Sequence, residues 1–323
     1  MHPDDLIYVA GHRGLVGSAI VRRLQAAGYR NLLLRTHADL DLTDMPATYD
    51  FLAARRPDVV FLCAARVGGI GANSDAPTDF LLDNARISMN VIDGARRAGT
   101  RRLINLGSSC IYPRDAAQPI AESALMTGPL EATNEAYALA KIAALKLCLA
   151  ENARYGTDFY SLMPTNLYGT GDNYDLCSSH VLPALIARFH DAKSGERDVV
   201  TLWGDGTPLR EFLHADDLAA AAVWLAERCS ARDVGGWINV GSGKELTIAA
   251  LAELVRDVVY ADAPATTPRP RIAWDTTRPN GTPRKLLDST RIRALGWSPT
   301  ISLRDGVTAA YGDYREQADT NTF

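Results

Sequence analysis

The sequence predicts an α/β fold in which helices cover both faces of a parallel sheet. The first two observations concern short runs of residues, such as 6–10 and 57–65, and the segments that follow them. These runs are almost wholly apolar, as in strands buried on both faces. Glycine-rich turns and helix-forming segments follow them, in the order of strand–helix–strand units. The third observation is the length of 323 residues, which allows a large core. We therefore expect a Rossmann-type doubly wound parallel sheet with a smaller α/β substrate-binding lobe.

Composition and charge limit the classes of protein to which the chain could belong. Apolar residues make up 47% and charged residues 22% of the chain, as in ordinary globular proteins. The net charge of −4 gives no whole-chain reason to expect nucleic acid or an anionic membrane as a partner. The polar N-terminus is unlike a signal peptide, and no apolar run approaches the ~20 residues that span a bilayer. Five scattered cysteines indicate reduced thiols in a cytoplasmic protein and no metal site: Cys63, Cys110, Cys148, Cys177 and Cys229.

The turn after the first strand is a candidate nucleotide-binding loop. Residues 6–10 predict a strand and residues 18–24 a helix, so the glycines between them have the context of a dinucleotide fingerprint. Glycines there let backbone N–H groups approach a pyrophosphate at the helix N-terminus. A purely structural turn is the alternative. The flanking elements favour cofactor binding by Gly11, His12, Arg13, Gly14, Leu15, Val16 and Gly17.

The end of the second predicted strand, residues 31–34, favours NADP over NAD. NAD enzymes usually carry an acidic residue there, which accepts a hydrogen bond from the ribose 2′-OH. This chain has Arg35 instead, and Arg13 in the glycine turn, so two guanidiniums could contact a 2′-phosphate. A solvent-facing charge at the strand end is the alternative for Arg35. Residues 39–44, which include Asp41 and Leu42, are expected to close over the adenine.

The next segments continue the strand–helix alternation. Residues 57–65 predict the fourth strand, and the glycine-rich loop at 66–71 would let a cofactor or substrate approach the backbone. Residues 83–97 predict a long amphipathic helix. Its outer surface is a candidate dimer face, although a helix that only covers the sheet has the same pattern.

Reactive side chains follow the strand predicted at residues 102–105. Ser108 and Cys110 come at its end, where open α/β sheets place their chemistry. Tyr137 and Lys141 form a Tyr-x-x-x-Lys pair on one face of a strongly helical segment. A phenol with a pKa near ~10 exchanges protons poorly at neutral pH unless a cation lowers that pKa, and Lys141 supplies one. This combination favours catalysis by Ser108, Tyr137 and Lys141.

Two strand ends are expected to contact the nicotinamide side of the cofactor. The first is the turn at Leu106 and Gly107. The second belongs to the sixth predicted strand and its loop, residues 159–169, with Pro164, Asn166 and Leu167.

Residues 178–212 supply candidates for a second ligand. His180 starts a predicted helix that Ser178 or Ser179 would cap, with Pro183 in its first turn. Arg188 follows roughly 12 Å along that helix, so His180 could meet a sugar ring while Arg188 meets a pyrophosphate.

Further along the chain, Trp203 and Arg210 offer an aromatic plane for a base and a guanidinium for phosphate. Core packing is the alternative for Trp203. An alanine-rich helix after residue 214 and a strand at 237–241 are expected to rejoin the first domain. We therefore predict that residues 1–170 plus about 213–241 form the nucleotide-binding domain, and that about 171–212 plus 242–323 form the second lobe.

The motifs resemble those of extended short-chain dehydrogenase/reductases, and more narrowly those of the GDP-L-fucose synthase family. The resemblance runs from about Ile7 to Tyr311. Seven blocks carry the narrower resemblance: Gly-His-Arg-Gly at 11–14, Val-Gly-Gly-Ile at 67–70, Gly-Ser-Ser-Cys-Ile-Tyr-Pro at 107–113, Met-Pro-Thr-Asn-Leu-Tyr-Gly at 163–169, Ser-His-Val-Leu-Pro-Ala-Leu at 179–185, Arg-Glu-Phe-Leu-His at 210–214 and Thr-Pro-Arg-Lys-Leu-Leu-Asp at 282–288.

The resemblance implies a cytoplasmic homodimer that uses NADPH to convert GDP-4-keto-6-deoxy-D-mannose to GDP-L-fucose. Cys110 would then be the base and His180 the acid of a 3,5-epimerisation, and Tyr137 would protonate the oxygen during reduction at C4. The second lobe would bind the GDP-sugar. By the same resemblance His180 would also contact the cofactor, and Arg188, Trp203, Arg210, Lys285 and Asn280 would contact the substrate.

Other functions stay open at this stage. Sugar dehydratases on the same scaffold place an acidic residue soon after the strand-end serine, whereas this chain has Ser109-Cys110. A non-enzymatic NADP sensor would be expected to lack Tyr137 or Lys141. The closest rival is an epimerase-reductase or plain reductase for another GDP-4-keto sugar, such as a 6-deoxy-heptose. The chain also departs from the family pattern at His37, where a second arginine is frequent, and at Asn280, where aspartate is frequent.

Overall fold

The computed structural model of the chain describes residues 1–176, 178–264, 266–278 and 280–319. Its strands are β1 Ile7–Ala10, β2 Leu32–Leu33, β3 Val59–Leu62, β4 Arg102–Leu106, β5 Asp158–Pro164, β6 Asn166–Tyr168, β7 Val199–Trp203, β8 Leu209–His214, β9 Trp237–Val240, β10 Glu245–Thr247, β11 Arg271–Asp275 and β12 Arg284–Lys285. Its helices are α1 Leu15–Ala26, α2 Met45–Arg55, α3 Ile70–Asp75, α4 Pro77–Ala98, α5 Glu135–Tyr155, α6 Val181–Ser194, α7 Ala215–Arg228, α8 Ile248–Val259, α9 Thr290–Ala294 and α10 Leu303–Asp319. Short 3-10 turns span Ser109–Ile111, Glu122–Ala124 and Ala132–Asn134.

A six-stranded parallel sheet in the order β2-β1-β3-β4-β5-β9 forms the centre of the larger lobe. Alternate residues of β1 point to opposite faces, so Ile7 and Val9 lie in one buried cluster while Tyr8 and Ala10 lie in another. Residues of α1 and α7 lie in the first cluster, and residues of α2, α4 and α5 lie in the second. The predicted α/β fold with a doubly wound parallel sheet is therefore confirmed.

The strand order reverses between β1 and β3, and ligands of such sheets bind at the carboxyl ends of the strands there. Gly11 follows β1 with a φ of 81°. A Cβ on Gly11 would lie 2.7 Å from the Ala64 backbone, beyond the end of β3. The two turns at the switch point can approach this closely only because residue 11 is glycine.

The smaller lobe has its own sheets and its own core. Strands β10, β8 and β12 form one sheet, to which β6 is joined through β8, and β7 pairs with β11 in a second. Apolar residues of α6, α8 and α10 pack together in a separate buried cluster. Since β6 follows β5 after a single residue, the two sheets meet directly at the end of the larger one.

Three details differ from the sequence predictions. Residues 57–65 contain the third strand and not the fourth, because the described chain between β2 and β3 forms α2; β5 is likewise not the sixth strand. Helix α4 begins at Pro77, well before residue 83, since proline suits a first helical turn. Neither Ser178 nor Ser179 caps α6: His180 is the N-cap residue and makes no side-chain capping bond, while the Ser178 hydroxyl donates to the Asp175 carboxylate.

Two observations bear on the surroundings of the protein. Within the described ranges, no helix has the length and hydropathy required to cross a membrane. Cys63, Cys110, Cys148 and Cys229 are free thiols, and Cys177 lies outside the described residues.

Candidate active site

The turn between β1 and α1 is shaped to admit a phosphate group. The Gly14 N–H donates to the Gly11 carbonyl at 3.1 Å, and α1 begins directly afterwards at Leu15. A Cβ on Gly17 would lie 2.1 Å from the Gly11 oxygen, so the helix reaches the turn only because residue 17 is glycine. The Nδ1 atom of His12 is buried without a hydrogen-bond partner among the described residues. A tight turn at a helix N-terminus, next to an unsatisfied polar atom, fits a dinucleotide pyrophosphate.

The two predicted phosphate-binding arginines, Arg13 and Arg35, both act on the carboxyl of Asp39. Hydrogen bonds from Thr36 lower the pKa of the Asp39 carboxyl most, and the charges of Arg35 and Arg13 lower it further. Arg35 donates to its own neighbour, the Leu34 carbonyl, at 2.8 Å and stacks 5.7 Å from the Phe51 ring centroid. In the adjacent segment Leu42 is buried in the core, and its carbonyl accepts from Asn90 at 2.9 Å. Its neighbour Asp41 accepts from the Thr43 N–H and hydroxyl at 2.9 and 2.8 Å.

Lys141 is fixed beneath the end of β4. Its side chain is 3% exposed, and its ammonium donates to the Leu106 carbonyl at 2.8 Å. Burial lowers the pKa of Lys141 to about 8. A Cβ on Gly107 would lie 2.3 Å from the Met163 side chain, so this strand end also depends on a glycine. The cation is therefore held at the point where the sequence places the reactive residues.

Tyr137 lies one helical turn before Lys141 on α5, but Lys141 does not lower its pKa as we expected. Burial raises the pKa of Tyr137, the Cys110 charge raises it further, and a hydrogen bond with Ser108 works in the opposite direction. The Lys141 ammonium is 5.7 Å from the Tyr137 ring centroid and bonds to a carbonyl instead. Tyr137 therefore keeps its proton at neutral pH and can act as a proton donor. Ser108 accepts a hydrogen bond from the Cys110 N–H at 3.2 Å.

Cys110 receives two donors from other parts of the chain. Its sulfur accepts from the Asn134 amide at 3.2 Å and from the Lys285 ammonium at 3.5 Å. Strand β12 brings Lys285 there, because it pairs with β8 in a register that sets Lys285 beside Arg210. Cys110 is a half-buried free thiol.

His180 stands at the start of α6, exposed to solvent, with its pKa lowered by burial among the surrounding protein atoms. The Gly69 N–H donates to the Ser178 carbonyl at 3.1 Å, which joins the His180 loop to the glycine-rich loop after β3. Helix α3 then packs against the 3-10 turn that carries Asn134. This series of contacts brings the loops that carry His180 and Cys110 to one side of the sheet.

The predicted substrate residues Trp203, Arg188 and Arg210 lie in different surroundings. Trp203 is 54% exposed with the Arg278 guanidinium 5.0 Å from its ring centroid, so the core-packing alternative is wrong. Arg188 lines a cavity of about 260 Å³ together with Asp191 and Arg197. Burial lowers the pKa of the Arg210 guanidinium.

Asn280 and Asn166 have structural contacts in this region. The Asn280 side chain accepts from the Asp205 N–H at 3.0 Å and so holds the turn after β7. The Asn166 amide donates to the Glu211 carbonyl at 2.8 Å. Of the other predicted cofactor residues, Pro164 ends β5, and Leu167 packs against the core of the larger lobe.

Two residues of this region were missed by sequence reasoning. Asn134 is the N-cap residue of α5, yet its side chain makes no capping bond and contacts Cys110 instead. Glu211 is fully buried, and its carboxylate accepts from the Gly243 and Leu287 N–H groups at 2.6 and 3.0 Å. An asparagine before a helical run signals a cap, and only the fold shows that its amide faces a sulfur.

Comparison with known proteins places these residues in context. The sequence model of the NAD dependent epimerase/dehydratase family matches residues 7–241. The putative GDP-L-fucose synthase 2 of Arabidopsis thaliana is 54% identical over 310 residues, which cover 96% of this chain and 92% of that protein. The GDP-L-fucose synthase of Escherichia coli K12 is 47% identical over 319 residues, which cover 97% of each chain.

A solved structure shows the same architecture. The GDP-D-glycero-L-gluco-heptose synthase of Campylobacter jejuni, determined in the presence of NADPH, superposes with a TM-score of 0.90 at 32% identity. The superposition covers 98% of this chain and 99% of that one.

Proposed function

The chain belongs to the NAD dependent epimerase/dehydratase family, and we propose that it is a GDP-L-fucose synthase. It is an NADPH-dependent 3,5-epimerase and 4-reductase that converts GDP-4-keto-6-deoxy-D-mannose to GDP-L-fucose. One observation carries this function: the Cys110 sulfur accepts a hydrogen bond from Asn134, which directly precedes α5, the helix that bears Tyr137 and Lys141. A base for epimerisation and an acid for reduction therefore share one cleft.

The epimerisations use Cys110 and His180 on opposite faces of the sugar. The 4-keto group acidifies the C–H bonds at C3 and C5. The Cys110 thiolate takes the proton from one of these carbons and becomes a thiol, the electron pair moves into the enolate, and the His180 imidazolium returns a proton to the other face. Each inversion leaves a thiol and a neutral imidazole, which exchange protons with water before the next. Burial lowers the pKa of His180, so its charged form is lost at a lower pH than that of an ordinary imidazole.

The reduction follows at C4. NADPH, when bound, supplies the hydride. Tyr137 gives its proton to the C4 oxygen, and Ser108 donates a hydrogen bond to that oxygen while Lys141 holds the strand end and the cofactor ribose. The residues that would hold the cofactor are Gly11, His12, Arg13, Gly14, Leu15, Val16, Gly17, Arg35, Asp41, Leu42, Leu106, Gly107, Ser108, Lys141, Pro164, Asn166, Leu167 and His180.

The GDP part of the substrate occupies the outer cleft. Arg188 and Arg210 bind the diphosphate, and the exposed face of Trp203 stacks on a ring of the nucleoside. Asn280 supports this region through the turn it holds. In this proposal residues 1–170 plus about 213–241 bind NADP, and about 171–212 plus 242–323 bind the GDP-sugar.

The protein is further proposed to be a cytoplasmic homodimer. Leu82 and Met89, seven residues apart on α4, are 42% and 46% exposed, and Leu139 on the neighbouring α5 is 46% exposed. Exposed apolar side chains on adjacent helices support a subunit interface. Free thiols and the use of NADPH are typical of the cytoplasm.

The deciding experiment incubates the protein with GDP-4-keto-6-deoxy-D-mannose and either NADPH or NADH, and identifies the product by NMR. We expect GDP-L-fucose, formed faster with NADPH. Oxidation of NADPH without inversion at C3 and C5 would reduce the activity to plain ketoreduction. The likeness to a heptose synthase makes a GDP-4-keto-heptose the rival substrate, and turnover of the heptose alone would favour it.

A further inference from the structure

Lys285 carries a charge that no acidic side chain balances. Among the described residues no carboxylate lies within ion-pair distance of its ammonium, whereas its neighbour Arg284 is paired with Glu245 at 2.5 Å. The atom that the Lys285 ammonium does contact is the Cys110 sulfur, at 3.5 Å. A half-buried cation without a carboxylate partner, in contact with a thiol, suits a thiolate as its counter-ion.

The other surroundings of Cys110 favour the same charge. The Asn134 amide donates to the sulfur at 3.2 Å, and α5 begins at the next residue, so the positive end of a 21-residue helix is also near. A neutral thiol is a weak acceptor, and two N–H donors directed at one sulfur match a thiolate better.

Several charged and titratable groups lie near Cys110. Besides Tyr137, the groups of this kind that line a cavity of about 10 Å³ beside Cys110 are Tyr112, Arg114, Glu131, Arg284 and Lys285. The single carboxylate, Glu131, is paired with Arg114 at 3.7 Å and accepts from the Thr133 and Thr282 hydroxyls at 3.3 and 3.2 Å. Lys285 is the one of these cations that contacts the sulfur.

We propose that Lys285 is a positioning residue for epimerisation, which holds Cys110 as a thiolate ready to accept the C3 and C5 protons. This role rests on the proposed function and differs from the diphosphate-binding role that the family resemblance implies for Lys285. A lysine that only binds diphosphate would affect epimerisation and reduction equally. A lysine that acts through Cys110 affects epimerisation selectively.

The first test needs no substrate, so it is independent of the proposed function. Alkylation of Cys110 by iodoacetamide is followed from pH 5 to 10 in the full chain by peptide mass spectrometry. In Lys285→Met we expect the rate at pH 7 to fall about tenfold and the pH profile to move upward. Lys285→Arg should keep most of the rate, and the exposed Lys244→Met should match the unaltered protein. Equal rates for Lys285→Met and the unaltered protein would overturn the proposal.

The second test separates the two roles of the residue. Deuterium incorporation from D₂O at C3 and C5 of the ketosugar reports epimerisation, and oxidation of GDP-L-fucose by NADP⁺ reports the reductase in reverse. We expect Lys285→Met to lose most of the kcat for deuterium incorporation, with a much smaller change in GDP-L-fucose oxidation. A parallel rise of KM in both reactions, with kcat retained, would assign Lys285 to diphosphate binding instead.

Discussion

At the scale of single residues, the structure assigns separate surroundings to the two proton-transfer groups. Burial and the Cys110 charge raise the pKa of Tyr137, which keeps it protonated. The Cys110 sulfur accepts from two N–H donors, which in the proposal for Lys285 hold it as a thiolate. A proton donor and a proton acceptor that prefer opposite protonation states can lie in one site because their surroundings differ.

Removing the Tyr137 hydroxyl should separate the two activities. We expect Tyr137→Phe to slow NADPH oxidation by roughly 10²–10³-fold, because it removes the general acid. Deuterium incorporation at C3 and C5 should continue, since Cys110 and His180 are intact. Tyr155→Phe, on the same helix but 49% exposed, is the control and should be fully active. Loss of both activities in Tyr137→Phe would argue against this division of roles.

Lys141 should give the reductase a pH limit. Burial lowers its pKa to about 8, so the side chain is charged below that pH and neutral above it. We expect kcat/KM for reduction to fall as the pH rises through about 8, because the charge near the cofactor is lost. In Lys141→Arg the fall should move to a pH above 10. An identical alkaline limb in both proteins would mean that another group titrates.

At the scale of elements, close approach at glycine positions shapes the cofactor site. Helix α1 reaches the β1 turn because residue 17 has no side chain, and the β4 end fits against Met163 because residue 107 has none. The smallest residue is needed at these points for contact, and its backbone freedom is needed at Gly11, with φ 81°.

Adding one methyl group at position 17 should weaken cofactor binding. In Gly17→Ala the new Cβ would lie 2.1 Å from the Gly11 oxygen, so the turn must open. We expect the Kd for NADPH, measured by fluorescence titration, to rise roughly tenfold, about 1.4 kcal/mol. Gly312→Ala in α10, where nothing lies within 4 Å, is the matched control. Unchanged affinity in Gly17→Ala would show that the turn adapts.

At the scale of the whole molecule, Glu211 ties the smaller lobe to the end of the larger sheet. Its carboxylate holds the Gly243 and Leu287 N–H groups, and its carbonyl accepts from Thr165 and Asn166 next to β5. Since Leu287 closely follows Lys285, this junction also supports the strand that reaches Cys110.

Neutralising this carboxylate should loosen the junction. We expect Glu211→Gln to lower the free energy of unfolding by about 1–3 kcal/mol, because one buried N–H loses its acceptor. Urea denaturation measures this, with the exposed Glu253→Gln on α8 as the control. Equal stability of the two variants would contradict a structural role for the buried carboxylate.

The proposed dimer has its own test. Replacing Met89, 46% exposed on α4, by Asp should give a monomer in light scattering, because a charge would enter an apolar interface. Met45→Asp, at a methionine 51% exposed on α2, should leave the dimer intact. A monomeric unaltered protein, or a dimeric Met89→Asp, would exclude this interface.

The sequence alone determined the architecture and the reactive groups. Apolar runs, glycine turns and helical periodicity are local patterns, so they predicted the parallel sheet. They also placed Ser108, Cys110, Tyr137 and Lys141 near the carboxyl ends of its strands. Local patterns predicted the ends and the number of elements less accurately. The differences concern the start of α4, the cap of α6 and the number of strands before β3. These depend on which neighbouring groups form hydrogen bonds with the backbone.

Only the tertiary structure decided which distant side chains meet. Lys285 lies 175 residues from Cys110 in the chain, and their contact depends on the pairing of β12 with β8. The direction in which the pKa of Tyr137 shifts also depended on the fold. Burial outweighs the effect of the Lys141 ammonium, which is bound to the Leu106 carbonyl. Sequence patterns record periodicity along the chain, whereas charge balance in a cleft depends on distances that folding alone establishes.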